Sequence, residues 1–334
     1  MFVRKFLLLM LFAVGSIYGR DYRNVDSQVM KYPYFNSVEH LGIRIMNDFA
    51  TDEQRVRAAF IWIVYNMDYG RSYDVIFQAD KHFPYYSEVG RQYQLRQLEL
   101  EKIDHSFLYR LGVCLDYSLI LKELCNQFKI PSEIIIGLTK TDMRDHNGEY
   151  HLKNHSWNAV QVDGDWKLVD PTWALGQTGN IQLLFTGNYI EQFFFPDPSN
   201  FIKSHLPANP AWQLLDAPVA ADKFKKQPSY FPEYFSREVE LSAKTSGVIS
   251  LADYNEYLIM FDRLPELNSM HYSIDGSVIL KKMEIKKVKD QPYFSVIKLN
   301  KRLRNKYHSL TVFMDYRPIL KFKIENQKHS ESKP

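Results

Sequence analysis

A two-residue turn at Asp163-Gly164 constrains the fold of this chain more than any other feature of its sequence. Asp-Gly between two apolar runs is the strongest short-range signal for an antiparallel hairpin. The segment NHSWNAVQVDGDWKLVDPTWA, residues 154–174, therefore predicts two paired strands. A two-residue loop also fixes the register of the pair, because Val162 must then face Asp165.

The register determines what meets at the open end of the hairpin. It places His155 opposite Thr172, and Asp170 opposite Trp157. His155 and Asp170 then lie diagonally on one face of the sheet, where Cβ atoms are roughly 7–8 Å apart and long side chains can meet. A hydrogen bond between them would fix the tautomer of the imidazole and stabilise the imidazolium. A purely structural strand pair needs neither residue, so the hairpin predicts a base with its orienting acid.

A buried helix is predicted for CLDYSLILKELCNQFK, residues 114–129, because this segment is apolar on more than one face. Cys114 opens the helix, where unpaired N–H groups and the positive end of the helix dipole favour a thiolate. Its own N–H can help to hold a developing oxyanion. Cys125 lies about three turns further on, roughly 16 Å away, which is too far for a disulfide within one helix. We interpret Cys125 as a core residue.

Cys114, His155 and Asp170 together have the composition of a catalytic triad. A thiol at a helix N-terminus, a base on one strand and an acid on the next are the parts needed for acyl transfer through a thioester. The sequence therefore predicts that the helix and the hairpin meet in space.

Three short motifs resemble the transglutaminase-like superfamily of papain-type cysteine enzymes: GVC at the start of the helix, NHSWNAV, and LVDPTWA. Two longer segments agree with this resemblance. VRAAFIWIVYNMDYG resembles the helix that precedes the cysteine in many members, and FFPDPSNFIKSHLPANPAWQLL resembles the segment after the core in the branch that includes the kyphoscoliosis peptidase. The resemblance covers about residues 50–215.

By position, the resemblance implies Cys114 as the nucleophile, His155 as the base and Asp170 as the orienting acid. It also implies an α+β fold, with a papain-like, transglutaminase-like core in which the central helix packs on an antiparallel sheet. In papain-like enzymes the second oxyanion donor comes from upstream of the cysteine. The upstream glutamines that we consider are Gln92, Gln94 and Gln97, and no motif selects one.

Two tryptophans of the hairpin, Trp157 and Trp173, are predicted to contact substrate, with packing in the sheet and core as the alternative. The predicted function is an enzyme that attacks amide bonds through a thioester on Cys114. It would act as a peptidase or amidase if water takes the acyl group, and as an acyltransferase if an amine does. The alternative is a catalytically silent module of the same fold that binds a protein or a glycan.

The first residues have the pattern of a secretory signal peptide. Arg4 and Lys5 precede an apolar run from Phe6 to Val14, and small residues follow. This run is too short to span a bilayer, which takes about 20 apolar residues. We therefore expect residues 1–19 to direct export of a bacterial type, to the periplasm or the medium, without membrane insertion of the mature chain.

Periodicity divides the rest of the chain into a catalytic portion at 20–215 and a β-rich portion at 216–325, with a disordered tail at 326–334. Segments beyond residue 216 alternate apolar and polar residues between frequent turns, which is typical of a small all-β sandwich. In the catalytic portion we predict helices over 51–70 and 87–109, a strand over 133–139, and irregular structure over 187–215.

A net charge of +3 gives no case for nucleic acid as a partner. The histidines His146, His151 and His155 lie near acidic residues, but zinc sites need ligands on rigid elements and most of this segment is polar and loop-like. No metal or cofactor is therefore predicted. The expected partner is a protein or peptide substrate, including the peptides of a bacterial cell wall.

Overall fold

The computed structural model describes residues 21–70, 87–140, 152–174, 189–237, 239–250, 256–265, 269–289, 291–299 and 308–325. The predicted signal peptide, the predicted tail, and the loop with His146 and His151 lie outside the described residues.

The first half of the chain is mainly helical, and the second half is mainly β-structure. The helices are α1 (Arg23–Val29), α2 (Val38–Asp48), α3 (Asp52–Asn66), α4 (Glu88–Tyr109), α5 (Cys114–Phe128), α6 (Pro171–Ala174), α7 (Tyr189–Gln192), α8 (Pro198–Phe201), α9 (Ala221–Lys225) and α10 (Pro232–Ser236), with a 3₁₀ turn at Pro210–Gln213. The strands are β1 (Asp68–Tyr69), β2 (Leu111–Gly112), β3 (Ser132–Lys140), β4 (Leu152–Val162), β5 (Asp165–Val169), β6 (His205–Pro207), β7 (Ser229–Tyr230), β8 (Glu240–Leu241), β9 (Val248–Ser250), β10 (Glu256–Arg263), β11 (Met270–Ile274), β12 (Lys281–Lys282), β13 (Lys286–Lys287), β14 (Tyr293–Lys298), β15 (Ser309–Met314) and β16 (Arg317–Glu325). Within the described ranges, each helix is too short or too polar to cross a membrane.

Helix α3 begins at Asp52, at the start of the predicted helix, and a capping box closes its first turn. The Thr51 hydroxyl accepts a hydrogen bond from the Gln54 N–H at 3.3 Å, and the Gln54 amide oxygen accepts one from the Thr51 N–H at 3.4 Å. The helix ends at Asn66 rather than at Gly70 as predicted, because the next residues form β1 and pair in parallel with β2. This pairing joins the end of α3 to the residues that lead into α5.

The helices predicted over 87–109 and 114–129 are confirmed as α4 and α5. Helix α5 is buried on several sides, as its composition predicts, because it packs on β4 and β3 and is also contacted by α2, α3 and α4. It stops at Phe128 because Lys129 takes a left-handed conformation with φ of 59° ahead of Pro131.

The sheet under α5 has the antiparallel order β5-β4-β3-β6. The predicted register of the hairpin is confirmed, since Val162 pairs with Asp165 across a turn in which Asp163 and Gly164 both have positive φ. The predicted pairing of His155 with Thr172 does not form, because β5 ends at Val169 and the chain turns into α6. Strand β6 falls in the segment predicted to be irregular.

The second half contains the predicted sandwich-like β-structure. One sheet has the order β13-β14-β10-β8, and the other has the order β12-β11-β15-β16-β7. Strand β9 adds a parallel pair with β16 to an otherwise antiparallel arrangement. Buried apolar residues form one large cluster around α3, α5 and β4 and a second around the strands of the sandwich. The central helix on an antiparallel sheet confirms the predicted α+β fold.

Candidate active site

Cys114 is the first residue of α5, where the backbone N–H has no partner within the helix. The first turn is closed by Asp116, whose carboxylate accepts a hydrogen bond from the Val113 N–H at 2.7 Å. Gly112 is required next to this turn, since a Cβ on it would lie 2.6 Å from the Cβ of Asp116. The local sequence therefore fixes the backbone that presents the thiol.

Cys114 is partly exposed, and its thiol interacts with His155 and Ser156. Burial opposes the negative charge, but the interactions with His155 and Ser156 outweigh it and hold the thiol pKa below its usual value. Cys125, on the same helix, is completely buried, and burial raises its pKa to about 12. The pKa values of the two thiols are thus shifted in opposite directions, downward at Cys114 and upward at Cys125.

His155 joins the thiol to the acid. Its Nε2 lies 2.7 Å from Oδ2 of Asp170, which leaves Nδ1 for the thiol of Cys114. Burial alone would lower the imidazole pKa, whereas the charge and hydrogen bond of Asp170, together with Cys114, raise it to about 9. The imidazolium is therefore the favoured form at neutral pH.

Asp170 is completely buried, and its carboxylate accepts four hydrogen bonds. Oδ1 accepts from the backbone N–H groups of Thr172 and Trp173, each at 3.0 Å. Although burial opposes the charge, the hydrogen bonds and charge of His155, with a second histidine, His205, keep the carboxyl pKa well below its ordinary range. The turn into α6 thus provides the donors that hold the acid.

His205 was missed by the sequence analysis. Its Nε2 lies 3.0 Å from Oδ2 of Asp170, and its Nδ1 lies 2.7 Å from the hydroxyl of Ser204. Burial lowers its pKa to about 4, so the ring is neutral at pH 7. The one available signal was a histidine inside the 194–215 segment that carries part of the family resemblance, and neither turn nor strand periodicity marked its position.

Gly137 lets the two imidazoles meet across the sheet. His155 on β4 and His205 on β6 are separated by β3, on which Gly137 pairs with both His155 and Pro207. A Cβ on Gly137 would lie 2.8 Å from Cα of Pro207. Without a side chain there, the ring centroids of the two histidines come within 5.6 Å of each other.

One ring nitrogen of His155, one of His205 and one carboxylate oxygen of Asp170 lie within 4.8 Å of one another, a spacing that also suits a metal ion. The directions of the groups fit hydrogen bonding instead. Both Nε2 atoms are at hydrogen-bond distance from the same carboxylate oxygen, and the other oxygen already accepts two backbone N–H groups. A metal would have to replace both ring N–H protons, so the donor set is better explained as a buried hydrogen-bond network.

The two tryptophans predicted to contact substrate differ in their surroundings. Trp157 is completely buried, with its ring 5.8 Å from Phe201 and 5.2 Å from His205. The prediction for Trp157 is therefore corrected to core packing, because its indole offers no surface to a ligand. Trp173 is partly exposed, and its ring centroid lies 6.0 Å from that of His155.

The upstream glutamines all lie on α4. Gln92 is exposed and donates to Glu88 at 2.8 Å. The second oxyanion donor stays unassigned among the described residues.

Comparison with known proteins supports the resemblance seen in the motifs. The chain is 25% identical over 222 residues to the human kyphoscoliosis peptidase, which covers 65% of this chain and 30% of the relative. It is 28% identical over 123 residues to the Lim and transglutaminase domain protein ltd-1 of Caenorhabditis elegans, covering 34% of this chain and 17% of the relative. The chain thus spans less than a third of the length of these relatives.

Among solved structures, a crystal structure of a TGase matches 50% of this chain and 36% of its own, at 15% identity and a TM-score of 0.27. No family model matches the chain.

Proposed function

The chain is a member of the transglutaminase-like superfamily, and on that premise we propose that it is a cysteine enzyme that cleaves amide bonds through a thioester on Cys114. The observation that carries the proposal is the arrangement in which the Cys114 thiol interacts with His155, whose Nε2 lies 2.7 Å from Oδ2 of Asp170. A partly exposed thiolate with a buried imidazolium behind it has little use in a protein that serves only as a scaffold.

The acylation step follows from the positions of these groups. The Cys114 thiolate attacks the carbonyl carbon of an amide, and the carbonyl oxygen becomes an oxyanion near the free N–H of Cys114. The His155 imidazolium then donates its proton to the amide nitrogen as the C–N bond breaks. The amine leaves, and the acyl group remains on sulfur as a thioester.

Deacylation returns the site to its starting state. Neutral His155 removes a proton from water or from an amine, which attacks the thioester carbonyl and releases the thiolate. Water gives a carboxylic acid, as in a peptidase or amidase, and an amine gives a new amide, as in a transglutaminase. The similar proteins include both a peptidase and a transglutaminase domain protein, and they support either outcome.

Thiol labelling of the mature protein tests the proposal most directly. Iodoacetamide is applied from about pH 4 to about pH 9, and the adduct is located by mass spectrometry, in the wild type and in His155→Ala. We expect Cys114 to react well below pH 8 and to slow sharply in His155→Ala. Cys125 is an internal control that should stay unlabelled because it is buried.

A Cys114 that reacts only near pH 8.5, the ordinary thiol pKa, and ignores His155 would overturn the enzyme proposal. The silent binding module would then be favoured.

Hydrolysis and transfer are separated by a second experiment. A glutamine-containing protein such as casein is incubated with the enzyme and a fluorescent primary amine, with Cys114→Ala as the control. Incorporation of the amine indicates acyl transfer, and new amino termini without incorporation indicate a peptidase.

Export is part of the proposal and rests on the pattern of residues 1–19. Expression of the full chain in a bacterium, followed by fractionation and N-terminal sequencing, tests it. A mature protein that begins near residue 16 or 20 in the periplasm or medium is expected, and an uncleaved chain in the cytoplasm would contradict it.

A further inference from the structure

We propose that His205 is a positioning residue that acts through Asp170, as a neutral hydrogen-bond donor that limits how strongly Asp170 holds the imidazolium of His155. This inference rests on the proposed function, because it concerns the proton that His155 must release to the leaving amine.

The geometry requires two donors on one oxygen. Oδ2 of Asp170 lies 2.7 Å from Nε2 of His155 and 3.0 Å from Nε2 of His205. An ionised carboxylate only accepts hydrogen bonds, so each of these ring nitrogens must carry its hydrogen. The tautomer of His205 is therefore fixed with the hydrogen on Nε2.

The surroundings of His205 keep it uncharged. Its Nδ1 lies 2.7 Å from the Ser204 hydroxyl, which can donate to a neutral ring. The ring is fully buried and stacks on Phe201 with centroids 4.0 Å apart, and the ring of Trp173 lies 4.5 Å away in an edge-to-face arrangement. A second positive charge in this apolar enclosure would be costly, particularly beside the imidazolium of His155.

A neutral donor at His205 weakens the interaction of Asp170 with the imidazolium of His155. Each hydrogen bond to a carboxylate spreads its charge and lowers its basicity. His205 therefore reduces the attraction between Asp170 and the imidazolium, while leaving the charge of the site unchanged. Without this donor, Asp170 would stabilise the imidazolium of His155 more strongly, and transfer of the proton on Nδ1 to the leaving amine would slow.

The other ionisable groups near the two histidines have separate roles. The thiol of Cys114 comes from α5 and acts on His155. Lys140 lies on β3 next to the residue paired with His205, but its Nζ is 2.6 Å from the carbonyl oxygen of Gln227 and 4.8 Å from the ring of Phe224. Among the described residues, the ionisable groups that shift the pKa of His155 are therefore Asp170 and Cys114.

Two substitutions separate donation from packing. His205→Phe keeps an aromatic ring in the enclosure and removes the donor. His205→Gln gives up the ring but keeps an N–H that can reach Asp170. Both are made in the full chain, and thermal unfolding with circular dichroism checks that each folds.

The readout is the titration of His155, followed by NMR of the full chain with ¹⁵N-labelled histidine from about pH 4 to about pH 11. In the wild type, His205 should show the neutral Nε2–H tautomer at pH 7. We expect the pKa of His155 to rise by about one unit in His205→Phe and to return close to the wild-type value in His205→Gln. Turnover at pH 7 should fall about tenfold in His205→Phe, mainly in kcat.

An unchanged or lowered pKa of His155 in a folded His205→Phe would overturn the inference, as would a charged His205 at pH 7. Either result leaves the proposed function standing if Cys114 still reacts as a thiolate at low pH. Failure of the proposed function shows differently, as a wild-type Cys114 with an ordinary pKa.

Discussion

At the scale of single residues, Asp170 is the side chain on which the proposed site most depends. It is fully buried, accepts four hydrogen bonds and stabilises the imidazolium of His155. Asp170→Asn removes the charge that raises the pKa of His155 and presents an N–H₂ group to at least one imidazole or backbone N–H. We expect the thiol pKa of Cys114 to rise toward its ordinary value and turnover to fall by about 10³–10⁴-fold.

The measurement is the rate of Cys114 alkylation near pH 6 together with turnover. Asp165→Asn, at an exposed position of the same hairpin, is the matched control and should behave like the wild type. Comparable rates of alkylation and turnover in Asp170→Asn and Asp165→Asn would show that Asp170 does not contribute to the reactivity of Cys114.

The two tryptophans of the hairpin should respond differently to truncation. Trp157 is completely buried, so Trp157→Ala should lower the free energy of unfolding by about 3–5 kcal/mol, and Trp157→Phe by less. Trp173 is partly exposed beside His155, so Trp173→Phe should raise KM more than it lowers stability. Urea unfolding and steady-state kinetics on the same preparations test both expectations. A stable Trp157→Ala would contradict the assignment of this residue to the core.

The site residues that the sequence predicts are those whose chemical role is suggested by residue type and whose position is fixed by a local rule. Cys114 opens a helix and His155 and Asp170 are tied by turn geometry, so their proximity follows from local rules. The burial of Trp157 and the approach of His205 depend on β6, which arrives from 35 residues beyond Asp170 along the chain. No local rule specifies such a distant contact.

At the scale of elements, the close approach of β6 to β3 depends on Gly137. A Cβ at this position would meet the backbone of β6 and the indole of Trp157. Gly137→Ala should therefore cost about 1–3 kcal/mol of unfolding free energy by overpacking, and it should displace His205 from Asp170. Ile136→Ala, at an exposed neighbouring position on β3, is the matched control.

Gly137→Ala and Ile136→Ala are compared by urea unfolding and by the ¹⁵N chemical shifts of His205. Equal stability and an unshifted His205 in Gly137→Ala would show that the two strands can separate without cost.

A helix or strand is predictable when its own sequence determines where it begins and ends. The start of α3 and the hairpin register are determined by a capping box and by a two-residue turn, and both are confirmed. The end of α3 is earlier than predicted because the pairing of β1 with β2 overrides the helical pattern. Strand β6 has three residues, too few for a periodic pattern to be recognised.

At the scale of the whole molecule, the boundary predicted at residue 215 needs an experimental test. Helix α9 follows that boundary, yet its Phe224 is fully buried in a cluster with Ile202 and Leu206. The Gln227 carbonyl oxygen also accepts a hydrogen bond from Lys140 at 2.6 Å. We therefore expect a chain of residues 20–215 to be less stable than one of residues 20–228, by about 2 kcal/mol or more from loss of the Phe224 contacts. Equal melting temperatures for the two would support the boundary at 215.

The pH dependence of stability gives a test of the buried histidines that needs no substrate. The pKa of His205 is lowered by burial to about 4, from 6.5 in the unfolded chain. Between these values the unfolded state binds more protons, so the free energy of unfolding should fall by about 3 kcal/mol as the pH drops from 6.5 to 4. His155 acts at the other end, because its raised pKa of about 9 gives a contribution that is complete below pH 6.5 and is lost as the pH rises through 9.

Replacing His205 should therefore change the acid side of the curve of unfolding free energy against pH. This change depends only on the loss of the His205 titration. Both His205→Phe and His205→Gln lack a group that protonates between pH 6.5 and 4, so both should flatten the acid side of the curve of unfolding free energy against pH. Only His205→Phe should also extend the alkaline side, because it alone removes the donor that limits the pull of Asp170 on His155. Urea unfolding at intervals of about half a pH unit resolves the two effects. An acid side as steep in both variants as in the wild type would mean that the folded protein protonates His205 as readily as the unfolded chain does, which contradicts an enclosure that keeps this ring neutral.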